Sequence, residues 1–135
     1  GIPPEFSIGL NGGVNIDGES DPRFYVGVKG CGPCIGVVIV SPDNETAYSF
    51  HFAPLDNVPA TLNSCFLYTM STEGYRAVIC GGNTSYSSRF LFSETLRTLE
   101  FLDIAVEGYI PSNGCFWGPD DQWYSEELDK PEASR

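Results

Sequence analysis

Residues 35–40 read Ile-Gly-Val-Val-Ile-Val, and only Gly36 among them is not β-branched. Side chains of that kind lose rotamer freedom in a helix and pack well on a pleated surface, so the run predicts an interior strand. Ser41-Pro42-Asp43-Asn44 bounds it with turn chemistry, and Ala47–Phe52 follows with the same β character, which predicts a hairpin. The same grammar recurs along the chain, where 15 glycines and 10 prolines separate short β-branched and aromatic runs. Further strands are expected at Phe24–Val28, Ser64–Thr69, Tyr75–Cys80, Ile104–Tyr109 and Cys115–Trp117, with a short one around Phe6–Leu10 and Trp123 near the sheet edge. Gly81-Gly82-Asn83 is a turn signal. One helix is expected to start at a Ser93 cap, with Glu94 in its first turn and Leu96, Leu99 and Leu102 inward; a weaker helical turn is expected at Val58–Asn63. The predicted class is α+β, a strand-rich, β-sandwich-like core flanked by one or two helices. The expected organisation is an extended arm at 1–22, with a cloning remnant at Gly1–Phe6, a single catalytic domain at 23–124 and a charged tail at 125–135.

The chain has 135 residues, long enough for one real core, and carries a formal charge of -11. Such an acid excess argues against nucleic acid as a partner, because every phosphate would be repelled. No run of about 18 apolar residues exists, so no membrane-spanning helix is expected. The Asn44-Glu45-Thr46 and Asn83-Thr84-Ser85 sequons recur by chance too often to carry weight. Asp120-Asp121 and Glu126-Glu127 lack the alternating spacing of a calcium loop and read as a solvated acidic surface. Tyr86, Phe90, Phe92 and Phe101 are expected in the core.

Chemistry-bearing residues are few: five cysteines and one histidine, His51. Cys31-Gly32-Pro33-Cys34 matches the redox motif of thioredoxins, but that chemistry needs a following helix to lower the first thiol's pKa, and Cys34 runs into strand material. A zinc site would need a second closely spaced pair, whereas Cys65, Cys80 and Cys115 are scattered. A cysteine nucleophile with an imidazole base would have to use His51. If Ser41–Asn44 form the hairpin loop, Val40 pairs with Glu45, Gly36 faces Ser49 and Cys34 faces His51. Ile35, Val37, Ile39, Tyr48 and Phe50 then share one face; the small residues Gly36, Ala47 and Ser49 share the other with Cys34 and His51. A non-enzymatic domain with a buried cysteine and a satisfied histidine fits the same residues.

The stretch Gly30–Pro54 resembles the active-site hairpin of the CheD-type chemoreceptor glutamine deamidases and, more distantly, the catalytic domain of cytotoxic necrotizing factors. The features carrying the resemblance are Gly32-Pro33-Cys34 entering the apolar run, Asp43 in the turn, and His51-Phe52-Ala53-Pro54. It extends more faintly over Phe24–Trp117, through Val78–Asn83, the helix and Asp103–Gly114. It implies a glutamine deamidase with Cys34 as nucleophile and His51 as base, no metal or organic cofactor, and a protein substrate with an exposed glutamine. Transglutamination, with an amine replacing water, stays open beside deamidation. Tyr25–Lys29 has no threonine or serine to complete the site as in the CheD-type proteins, which leaves a backbone carbonyl near Val26 or Val28, or Ser49, as the third group. Asn83, Thr84 and Ser85 are candidates to line the cleft. Pro111–Cys115 lacks the family's basic signature, which points toward an effector-like deamidase acting in a target-cell cytosol, or otherwise in the bacterial cytoplasm.

Overall fold

A computed structural model describes residues 7–10, 25–118 and 120–125 of the chain, with no side-chain account of 7–10. Eight strands and two helices follow in the order β1 (Ser7–Leu10), β2 (Val26–Val28), β3 (Ile35–Val40), β4 (Thr46–Phe52), α1 (Val58–Cys65), β5 (Arg76–Gly81), α2 (Tyr86–Phe101), β6 (Ala105–Ile110), β7 (Cys115–Trp117) and β8 (Trp123–Ser125). Five strands form one sheet in the order β1-β4-β3-β5-β6, and three form a second, β2-β7-β8. The fold is α+β with a strand-rich core. Most of the arm and nearly all of the charged tail lie outside the described residues.

β3 is the central strand and is buried along its whole length, as its β-branched composition requires. Alternate side chains feed two cores. Ile35, Val37 and Ile39 join Phe50, Phe52, Val58, Leu62, Ile79, Leu91 and Leu99 beneath the helices. Val38 and Val40 join Val26, Val28, Ala47, Val78, Cys80, Cys115 and Trp117 between the two sheets. The result is three layers: helices, five-stranded sheet, three-stranded sheet. β5 and β6 pair in parallel, so α2 is the crossover between them.

Four expectations are corrected. Ser64–Thr69 is not a strand: α1 runs to Cys65, and Phe66 then turns into the core against the rings of Tyr48 (5.2 Å) and Tyr75 (5.5 Å). Asn57 makes α1 a full helix rather than a turn, its Oδ1 accepting the Ala60 N–H at 3.0 Å. α2 begins two turns before Ser93, because Ser85 caps it, its Oγ accepting the Ser88 N–H at 3.3 Å. Lastly, Tyr86, Phe90 and Phe101 are exposed rather than in the core, while Phe92 is only half-buried.

Candidate functional site

The β3–β4 hairpin closes one residue later than the loop Ser41–Asn44 would allow. Ser41 N–H donates to the Thr46 carbonyl (2.9 Å), and Ser41 Oγ both accepts the Thr46 N–H (3.0 Å) and donates to Asp43 (2.7 Å). Asn44, at φ 61°, carries the tight turn. Val40 therefore pairs with Ala47, Val38 with Ser49, and Gly36, not Cys34, with His51. The partner of each residue moves by two positions. An even shift preserves the faces, because side chains alternate with period two.

Cys34 lies immediately before β3, half-buried, and packs against the core between the sheets. His51 is half-buried on β4 and sits on that same face, one step along the pairing. Diagonal neighbours of this kind are roughly 7–8 Å apart at the backbone, within reach of an imidazole. Ser49 is on the face too, one pleat inward and buried opposite Val38. Val28 completes the wall: its Cγ1 is 2.5 Å from where a Cβ on Gly36 would stand. Asn83 is elsewhere. It precedes α2 on the opposite side of the five-stranded sheet, and its Oδ1 accepts from Ser85 N–H (2.9 Å) and Oγ–H (2.7 Å). It does line a cleft, a cavity of about 540 Å³ between Ile35, Gly81, Gly82, Phe92 and Tyr109.

The loop carrying Cys34 is held from two sides. Cys31 N–H donates to the Asn113 carbonyl (2.8 Å) and Gly82 N–H to the Gly32 carbonyl (2.9 Å). Gly81, at φ 85°, lies so close that a Cβ there would be 2.6 Å from both the Cys34 carbonyl oxygen and Cys31 Cβ. Gly36 and Gly81 were not singled out as site residues by sequence. The signal was present, since a glycine inside a strand marks close approach of other groups.

The five thiols separate by environment. Cys31, Cys80 and Cys115 have no exposed surface and pack together between the sheets. Hydrogen bonding with Cys115 drives the Cys80 thiol well above the usual range, burial adding to it while Cys31 pulls the other way. Burial pushes half-buried Cys65, on α1, up to about 11. Cys34 is thus the one partly accessible cysteine on the His51 face. It leads into a strand, so no following helix directs its dipole at Cys31. Asp120 and Asp121 are occupied by protein partners: Asp120 accepts from Tyr124 and the Gln122 N–H, Asp121 from Trp117 and Arg76.

Comparison with known protein families and with curated proteins gives no match.

Proposed function

We propose that this chain is a cysteine-dependent protein glutamine deamidase of the kind its hairpin resembles. The observation that carries the reading is the β3–β4 register, which sets the sole histidine on the same face and at the same end of the sheet as the partly accessible Cys34. On the hairpin, the other residues of that face, Gly36, Val38, Val40, Ala47 and Ser49, are buried. In this reading the Cys34 thiolate, paired with the His51 imidazolium, attacks the carboxamide carbon of a substrate glutamine. Backbone donors beside the thiol, the Cys34 N–H first, hold the oxyanion. His51 gives its proton to the departing nitrogen, ammonia leaves and a thioester forms. His51 then takes a proton from water, whose oxygen attacks the thioester and releases glutamate and the thiol. An amine in place of that water gives transglutamination.

The substrate is a protein with an exposed glutamine side chain, since the thiol lies near the surface. Action on proteins of a target-cell cytosol, as a delivered effector, follows from the family likeness alone. The test incubates a host-cell lysate with the protein, with Cys34→Ser and with His51→Ala, and maps glutamine-to-glutamate changes, a gain of about 1 Da each, by mass spectrometry. Such changes, made by the parent protein and lost with released ammonia in both variants at unchanged circular dichroism, are expected. Glutamine residues that stay unmodified, or change equally with Cys34→Ser, would sink the proposal.

A further inference from the structure

One stripe of α2 carries three exposed aromatic side chains. At 100° per residue, Tyr86, Phe90, Glu94, Arg97 and Phe101 fall within an arc of about 80°, a single stripe along the helix. Tyr86 is 79 % exposed, Phe90 56 % and Phe101 78 %. The buried stripe of the same helix is a different one, Ser88, Leu91, Thr95, Thr98 and Leu99. Next to the exposed stripe runs a groove between α2 and α1, in two sections of about 460 and 270 Å³ that meet at Pro59 and Glu94. Leu55 stands at its mouth, wholly exposed (101 %) at φ 82°. The left-handed region is costly for a leucine. A tight turn keeps it there, with Asp56 N–H donating to the Ala53 carbonyl (3.0 Å) and Asp56 Oδ2 accepting the Ala53 N–H (2.7 Å).

Four large apolar side chains along one groove are more than scattered surface residues. The groove's charge selects among occupants. Its charged lining groups are Asp56, Glu94 and Arg97, and Arg97 is already bound to Glu94 at 3.5 Å. The surplus is negative, in a chain of net charge -11. A second copy of this chain would bring the same acidic lining against itself, and the tail after Ser125 sets Glu126, Glu127, Asp129 and Glu132 against only Lys130 and Arg135. Neither complements the groove.

We propose that the α1–α2 groove is a docking surface for a basic amphipathic helix of a partner protein, whose apolar residues seat against Leu55, Tyr86, Phe90 and Phe101 and whose lysines or arginines face Asp56 and Glu94. This is the helix-in-groove mode, with anchors repeating at one helical turn. The inference stands apart from the Cys34 chemistry, because the groove lies on the helical side of the five-stranded sheet and shares no residue with the cysteine–histidine face.

The probe is a synthetic Leu/Lys amphipathic peptide of about 16 residues, close to the length of α2, with its Leu/Glu counterpart as the charge control. Two-dimensional NMR of the isotope-labelled chain reads where each peptide binds. Shifts from the Leu/Lys peptide are expected at Leu55, Tyr86, Phe90 and Phe101, and none from the Leu/Glu peptide. The double substitution Tyr86→Ser, Phe90→Ser leaves every charge in place and removes two side chains that are more than half exposed; it should weaken binding at least about tenfold. Equal affinity in that variant, equal binding of the Leu/Glu peptide, or no shift along the groove overturns the proposal. So does a concentration-dependent dimer in sedimentation that the double substitution abolishes, which would give the groove to a second copy. Shifts at Tyr86 and Phe90 on removing residues 126–135 would give it to the chain's own tail.

Discussion

At the level of single residues, the site depends on a side chain that is missing. Gly36 is the direct partner of His51, and the volume a Cβ would take there is already filled by Val28 Cγ1 (2.5 Å), Cys80 Sγ (2.8 Å) and Cys31 Sγ (3.1 Å). The Gly36→Ala substitution should therefore overpack the layer between the sheets and cost about 1–3 kcal/mol. Val28→Ala alone should cost a similar amount through the cavity it leaves. Combined, they should be more stable than the sum of the two by at least about 1 kcal/mol, because the new methyl enters the space vacated by the old one. Urea unfolding of the four proteins measures this coupling, and strict additivity would show that Val28 does not stand over Gly36. The thiols give a second prediction. Iodoacetamide near neutral pH should label Cys34 first, leave Cys65 slow because burial holds its thiol at about 11, and reach Cys31, Cys80 and Cys115 only on unfolding. His51→Ala should slow Cys34 and leave Cys65 unchanged, as peptide mapping of the alkylated protein would reveal.

At the level of elements, the hairpin and α2 show what sequence patterns carry. The faces of β3 and β4 were legible because large and small residues alternate: Ile35, Val37 and Ile39 against Gly36, Ala47 and Ser49. The offset was not, because Ser41 serves equally as a loop residue or as the last pair. Its hydroxyl hydrogen bonds, which no periodicity reports, decide the matter. For α2, the leucines pointed to the right side, with Leu99 buried and Leu96 and Leu102 packed against the core, whereas the aromatics Tyr86, Phe90 and Phe101 stand outside. The buried stripe holds Thr95 and Thr98, which can be buried because their hydroxyls donate to the carbonyls four residues back, Leu91 and Glu94, at 2.8 Å each. The true start of α2 had its own signal in Ser85, overlooked beside Ser93. Ser85→Ala should cost about 1 kcal/mol in urea unfolding and speed amide exchange over the first turn, while Ser93→Ala, in mid-helix, should leave that turn's exchange unchanged.

On the scale of the whole molecule, the second sheet has only three short strands, and its seat on the first fixes Val28 above Gly36. One polar junction ties the layers at their edge. Arg76 on β5 donates to Asn44 in the β3–β4 turn and to Asp121 in the β7–β8 turn (3.1 Å), and Trp117 Nε1–H on β7 donates to the same Asp121 oxygen (2.8 Å). The Trp117 hydrogen bond, with Arg76 behind it, holds the Asp121 carboxyl below its ordinary value of 3.8. The sign follows from linkage. A carboxylate with a depressed folded pKa stabilises the fold fully above its unfolded pKa of about 4, and that contribution is lost as pH falls through the lower folded value. Half-exposure of the Asp121 side chain (44 %) and solvent screening keep the effect small, about 1 kcal/mol at neutral pH. Asp121→Asn should therefore be less stable than the parent protein by about that amount at pH 7, and the gap should narrow in acid, as the pH falls below the unfolded value of about 4. Chemical denaturation at pH 7 and in acid tests it, and a gap that persisted in acid would show that the carboxylate's charge is not what joins the layers. Loosening this junction lets the three-stranded sheet lift. If Val28 and the hairpin face it covers respond, Cys34 should alkylate faster in Asp121→Asn at pH 7 than in the parent protein, an effect of the fold's edge on the candidate nucleophile.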